Sequence, residues 1–111
     1  MKLNAYALYD KAIDTYLTPF FLHNDELARR AIEASMVQEP DGDLIRYPEQ
    51  FTLLHVGTFD DKTGVFSPED RLLCNCTGFA QRVRKHRLDA IESVLDELQG
   101  LLKAEKQEGR E

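Results

Sequence analysis

The chain has 111 residues, of which 42% are hydrophobic and 31% charged, and it contains two cysteines and no tryptophan. This length fits one domain, or one small domain with an appended helix. No apolar run approaches the roughly 20 residues of a membrane span, which excludes a protein anchored by such a helix. Asp10 and Lys11 come too early for a signal peptide, so we expect a cytosolic protein.

The formal net charge of -6 conceals an uneven distribution along the chain. Residues 1–70 carry 6 Lys/Arg against 13 Asp/Glu, residues 71–88 carry 5 against none, and residues 89–111 carry 3 against 7. The acidic total argues against a protein that merely coats DNA, because nonspecific affinity comes mainly from neutralised phosphates. Any positive field is therefore concentrated in residues 71–88.

The first half of the chain predicts a strand, a helix and a loop. Residues 2–9 alternate imperfectly between apolar and polar side chains, as in an opening strand. Asn24 offers a helix cap, and the apolar positions from Leu27 to Met36 keep one face through about Gln38. Breakers such as Pro40, Gly42 and Pro48 predict a connecting loop over residues 39–50.

The second half predicts a hairpin followed by a long helix. Residues 51–59 form a central strand, and residues 60–64 form a turn in which Gly64 supplies a positive φ. A return strand starts at Val65 and is interrupted at residues 67–70, while residues 72–77 form another short strand that Gly78 ends. One helix then extends from about residue 80 or 81 to Lys106, with Gly100 as its weak point.

These elements predict an α+β fold: a small, mainly antiparallel sheet, one helix packed on it, and a long C-terminal helix for oligomerisation. We expect a body over residues 1–80, an amphipathic helix with a basic N-terminal end over residues 81–107, and a frayed tail over residues 108–111. No Gly-rich phosphate loop, nucleophile elbow or paired-histidine motif is present, so we do not expect an enzyme.

The basic run at the start of the long helix is the main functional candidate. We expect Arg82, Arg84, Lys85 and Arg87 to neutralise phosphates, with Arg29 and Arg30 as a second patch. At about 100° per residue the charges wrap around the helix, which suits a flexible phosphate backbone better than base edges in one groove. The alternative is a set of solvated side chains that balance the acidic body.

An apolar stripe follows the basic run at steps of three and four residues. Its members are Leu88, Ile91, Leu95, Leu98 and Leu102, flanked by Val94 and Leu101. This spacing is typical of a helix that self-associates, and we expect a homo-oligomer, with a dimer as the simplest form. Two heptads fall short of a secure coiled coil, so packing of the stripe on the chain's own sheet is the alternative.

Aromatic and sulfur-containing side chains are the remaining candidates. Tyr6, Tyr16 and Phe79 are the aromatic residues we expect to stack on unpaired bases, while most others fill the core. Cys74 and Cys76 are too close for an unstrained bridge, and the scattered histidines do not complete a zinc site. We therefore expect no metal and no cofactor.

The sequence resembles the small nonstructural protein, assigned to DNA binding, of gokushovirus-type microviruses, which are single-stranded DNA phages. The resemblance covers about residues 1–66 and rests on the order of several segments: Met1–Tyr6, Asp10-Lys11, Tyr16, Pro19–Phe21, Asn24, Ala28–Ala31, Pro48–Leu53 and Gly57–Gly64. It implies a role in phage genome replication or packaging in the cytoplasm of the infected bacterium. It supplies no binding residues, and the basic run lies outside it.

The resulting hypothesis is non-enzymatic, largely sequence-independent binding of single-stranded DNA by a homo-oligomer, with other phage proteins as further partners. The alternative is an interaction or regulatory module that contacts a capsid, scaffold or host protein without touching DNA.

Overall fold

A computed structural model describes residues 1–108, with side chains up to residue 104. Its elements in chain order are β1 (Lys2–Asp10), β2 (Thr15–Tyr16), β3 (Phe20–Leu22), α1 (Asp25–Gln38), α2 (Asp43–Arg46), a 3-10 turn (Pro48–Gln50), β4 (Phe51–Asp60), β5 (Phe66–Asn75) and α3 (Thr77–Glu108). The predicted α+β class is confirmed. Residues 109–111, most of the predicted frayed tail, lie outside the described residues.

The sheet is antiparallel and is built around β1. Its order is β2-β1-β4-β5, and β3 pairs with β1 on the same side as β2. The β1–β4 ladder runs from Lys2 opposite Asp60 to Asp10 opposite Phe51, with a bulge at Val56. The strands predicted at residues 2–9 and 51–59 are therefore confirmed, and the structure shows that they are neighbours at the centre of the sheet.

Helix α1 forms as its sequence predicts. The Asn24 side chain accepts a hydrogen bond from the Leu27 backbone N–H at 2.9 Å, which satisfies one of the free donors of the first turn. Ala28, Ile32 and Met36, spaced by four residues, are buried and supply the helix's contribution to the core.

Two local predictions were wrong. The segment 39–50 is not a plain loop, because it contains α2 and the 3-10 turn and buries Ile45 and Pro48. Residues 67–70 do not end the return strand either, since β5 runs from Phe66 to Asn75, with a shift in its pairing to β4 at Glu69 and Asp70. Pro68 is tolerated in β5 because β5 pairs with β4 alone among the described strands, and an edge strand can lack a donor.

Two glycine positions explain the β4–β5 hairpin. Gly64 has a φ of 73°, as the turn prediction required. Gly57 leaves space for the Phe66 ring, because a Cβ at that position would lie only 2.2 Å from the ring's Cζ atom. The hairpin therefore depends on glycine for conformation at one position and for close approach at the other.

Helix α3 starts earlier than predicted. It begins at Thr77, whose backbone N–H donates to the Asn75 side chain at 2.9 Å, so Gly78 lies inside its first turn. The backbone contacts divide the chain into two units, Met1–Gln81 and Arg82–Glu111. No helix within residues 1–108 is both long enough and apolar enough to cross a lipid bilayer.

Candidate nucleic-acid interface

The basic segment, defined here as Arg82, Arg84, Lys85, His86 and Arg87, lies on consecutive turns of α3. All five side chains are exposed. At about 100° per residue, Arg84 and Arg87 lie on one side of the helix, and Arg82 and Lys85 on another. Val83 between them is buried, at 5% exposure. The helix thus offers four permanent positive charges to solvent over about two turns.

Arg71 does not add to this segment. Both of its terminal nitrogens donate to the Asp25 carboxylate, at 2.9 and 2.8 Å, in a bidentate ion pair. Such a pair occupies the guanidinium and cancels its charge locally. Of the five cations in residues 71–88, Arg71 is therefore the one that this ion pair removes as a candidate for phosphate contact.

The second patch expected on α1 is electrostatically weak. The Arg30 guanidinium lies 3.4 Å from the Glu26 carboxylate one turn away, and both side chains are exposed. Arg29 is half-buried, and its charge contributes to the lowered pKa of Asp25. Both arginines thus lie near carboxylates of their own helix.

Tyr6 and Phe79 were wrongly predicted to stack on bases. Tyr6 has 0% exposure and Phe79 has 4%, so neither ring has an accessible face. The Tyr6 hydroxyl donates to Asp25 at 2.8 Å, and burial followed by this contact raises the pKa of Tyr6 to about 12. Both residues belong to the core.

Tyr16 is exposed, as predicted, and lies on a face of the sheet that sequence reasoning did not identify. It pairs with Tyr9 across β1 and β2, and the two ring centroids are 5.0 Å apart. Directly paired residues share a face, so the pairing of Ala5 with Phe21, and of Phe59 with both Leu3 and Phe66, extends that face. We call it the aromatic face and define it by Tyr9, Tyr16, Phe21, Phe59 and Phe66.

The aromatic face is apolar and accessible, but its charge is negative. Tyr16, Phe21 and Phe66 are 54%, 46% and 45% exposed. A groove of about 360 Å³ is lined by Tyr16 and by residues of four neighbouring segments: Ala7, Leu17, Pro19, Val56, Glu69 and Asp70. Because two carboxylates line this groove, it repels phosphates and attracts cations.

The polar groups on the opposite side of the sheet form a structural network. One row across β1, β4 and β5 contains Tyr6, His55 and Arg71. This row lies next to Asp25 at the start of α1. The His55 Nε2 atom lies 3.0 Å from the Asn4 side-chain oxygen, and His55 is buried. These contacts join the sheet to α1.

The two cysteines are free thiols, with Cys74 half-buried and Cys76 buried. Burial, followed by the nearby Cys74, raises the pKa of Cys76 to about 12. Within the described part of the chain, no group of three or more His, Cys, Asp or Glu residues is placed to hold a metal ion.

Comparison with known proteins gives one family. The phage ORF5 protein family matches residues 3–79, which include α1 and all of the sheet except Lys2. No curated protein and no solved structure matches the chain. The matched segment ends before the basic segment and the apolar stripe of α3. Since the match spans well over half of the chain, this small phage protein belongs to the phage ORF5 protein family.

Proposed function

We propose that this phage protein binds single-stranded DNA without sequence preference and without catalysing a reaction. The observation that carries the proposal is the exposed basic segment of α3, which has four permanent cations over about two turns and no acidic residue between Arg82 and Arg87. A dense, exposed set of cations is the usual electrostatic feature of a nucleic-acid contact.

The arrangement of the charges favours a flexible strand over a duplex. The four side chains are spread around the helix, so a rigid duplex would meet only some of them at once. A single strand can curve to place successive phosphates against different sides of the helix.

The strength of binding follows from the number of phosphates neutralised. For single strands the logarithm of affinity falls against the logarithm of salt concentration with a slope of about -0.7 per phosphate, so three to four contacts per chain give roughly -2 to -3. The net charge of -6 opposes any wider contact. Binding should therefore be moderate and strongly dependent on salt.

The family resemblance adds the stage of infection at which the protein would act. The resemblance to gokushovirus-type phages supports a role in genome replication or packaging in the cytoplasm of the infected bacterium. These are the stages at which a single-stranded DNA phage has its genome unpaired and in need of a protein partner.

Fluorescence anisotropy with labelled oligonucleotides tests the proposal. We expect the Arg82, Arg84, Lys85, Arg87→Ala variant to lose binding at low salt. A matched control replaces four exposed cations elsewhere with alanine, giving the same change in net charge: Lys2, Lys11, Arg46 and Lys62. If the control loses as much affinity as the α3 variant, or if wild type does not bind at low salt, the proposal fails.

One observation favours a second function, that of an interaction module for another protein. The aromatic face joins exposed rings to Glu69 and Asp70, a combination that suits a cationic, partly apolar polypeptide. A pull-down from nuclease-treated infected cells, using wild type and a Phe21→Ser, Phe66→Ser variant, distinguishes the two functions. Protein partners that survive nuclease and depend on these rings would support this alternative.

A further inference from the structure

The apolar stripe of α3 is wide and exposed. Its five regularly spaced members and the two flanking residues are all between 49% and 65% exposed: Leu88, Ile91, Val94, Leu95, Leu98, Leu101 and Leu102. Large apolar side chains at this density are unusual on a lone helix, because helices in proteins gain most of their stability by burying such a stripe. The stripe therefore requires a binding partner that covers it.

The exposed area of the stripe is close to the area that one partner buries in a specific protein–protein interface. At roughly 100 Å² for each half-exposed side chain, the seven residues present about 700 Å² per chain, close to the roughly 800 Å² per partner in a standard protein interface. A second copy of the same helix offers an equal apolar area in the same spacing. Self-association is thus sufficient to cover the stripe.

The pattern within the heptads indicates more than two helices. With Leu88 at position a, the a positions hold Leu88, Leu95 and Leu102, and the d positions hold Ile91 and Leu98. Leu88 at a with Ile91 at d is a combination that shifts helical assemblies from dimers toward trimers and tetramers, whereas Leu98 at the second d position does not add to this preference.

The two residues that flank the stripe also indicate more than two helices. Val94 and Leu101 both fall at position g, which in a two-helix coiled coil carries polar side chains at the edge of the seam. Apolar residues at a, d and g make a face three positions wide, which is the pattern of a helix in the core of a bundle. We infer that α3 assembles with α3 of at least two further copies of this chain into a helical bundle.

Charges beside the stripe favour the chain's own copies as partners. Arg87 occupies position g and Glu92 occupies position e of the next heptad, which are the positions that face each other between parallel helices. Each copy therefore carries both members of an interhelical ion pair, and pairing of Arg87 with Glu92 in the bundle would leave the phosphate contacts to Arg82, Arg84 and Lys85.

Sedimentation velocity and equilibrium of the full chain without DNA test this inference. Wild type should show a mass above two chains over a concentration series of about 1 to 300 µM, the range in which a weak to moderate association is visible. Val94→Glu with Leu101→Glu should lower the mass to two chains or one. The matched control, Ser93→Glu with Gly100→Glu, adds the same charge one residue away, at position f, where Gly100 has no neighbour within 4 Å of an added Cβ.

The control should keep the wild-type mass, and far-UV circular dichroism should show every variant folded. A wild type that stays a monomer or stops at a dimer overturns the inference. It is also overturned if the Val94, Leu101 variant keeps the wild-type mass, or if the two variants lose mass equally. Since no DNA is present, this result is independent of the proposed function.

Discussion

Replacing Asp25 with asparagine should destabilise the first unit in a pH-dependent way. The Asp25 carboxylate accepts two hydrogen bonds from Arg71 and one from the buried Tyr6 hydroxyl, and it lies in the first turn of α1. Asparagine preserves the size of the side chain but removes its charge. The Asp25→Asn variant therefore isolates the electrostatic part of this connection between β5, β1 and α1.

The magnitude follows from the pKa of Asp25, which the Arg71 hydrogen bonds, with a smaller contribution from Tyr6, lower from 3.8 to about 2. At 1.36 kcal/mol per pKa unit, the full shift corresponds to about 2 kcal/mol. The Asp25 side chain is 32% exposed, so solvent screening reduces the expected loss to about 1 to 2 kcal/mol. This contribution is complete above the unfolded pKa of 3.8 and disappears as the pH falls through about 2.

Urea unfolding of wild type and variant between pH 7 and pH 2.5 measures this difference. It should be constant from pH 7 to about pH 5 and shrink below pH 4. Glu26→Gln is the matched control, because Glu26 is the next residue and makes only an exposed pair with Arg30, so its loss should stay within about 0.5 kcal/mol. Equal losses in the two variants, or a difference that does not change with pH, would contradict the reasoning.

Three further predictions concern other parts of the molecule. Gly57→Ala should cost about 1 to 3 kcal/mol in urea unfolding, because the Cβ would overlap the Phe66 ring, whereas Gly100→Ala should be neutral or slightly stabilising. Cys76 should resist a thiol reagent at pH 8 until the protein unfolds, while Cys74 reacts first; equal rates in the folded protein would contradict the burial of Cys76. Arg84→Ala should reduce the slope of log affinity for single-stranded DNA against log salt by about 0.7, and an unchanged slope would remove Arg84 from the contact.

The predictions from sequence were correct for elements whose own residues determine their local structure. The alternation of residues 2–9, the Asn24 cap and the turn at Gly64 all specify local structure, and each is confirmed. The predictions missed the elements that form only through pairing across the sheet. The two- and three-residue strands β2 and β3 have no periodicity of their own and exist because β1 supplies their partners.

The errors about Tyr6 and Phe79 have a common physical origin. Exposure was inferred from residue type and from proximity to charge, but it depends on which face an element buries. Cys76, Phe79, Ala80 and Val83 are all buried and spaced by three and four residues, so the start of α3 carries a helical apolar stripe that the sequence already contained. Tyr6 could not be placed in this way, because its burial depends on β4 and α1, which come much later in the chain.

The central position of β1 affects how the protein can fold during synthesis. Its longest ladder joins Lys2 to Asp60 and Asp10 to Phe51, so the two middle strands are separated by some 40 residues of chain. Contacts between distant segments close slowly, because loop entropy is lost before the ladder forms. During translation β1 leaves the ribosome before β4. The apolar side chains of β1 therefore stay exposed to solvent until β4 has left the exit tunnel. The body can therefore acquire its tertiary structure only after β4 has been synthesised.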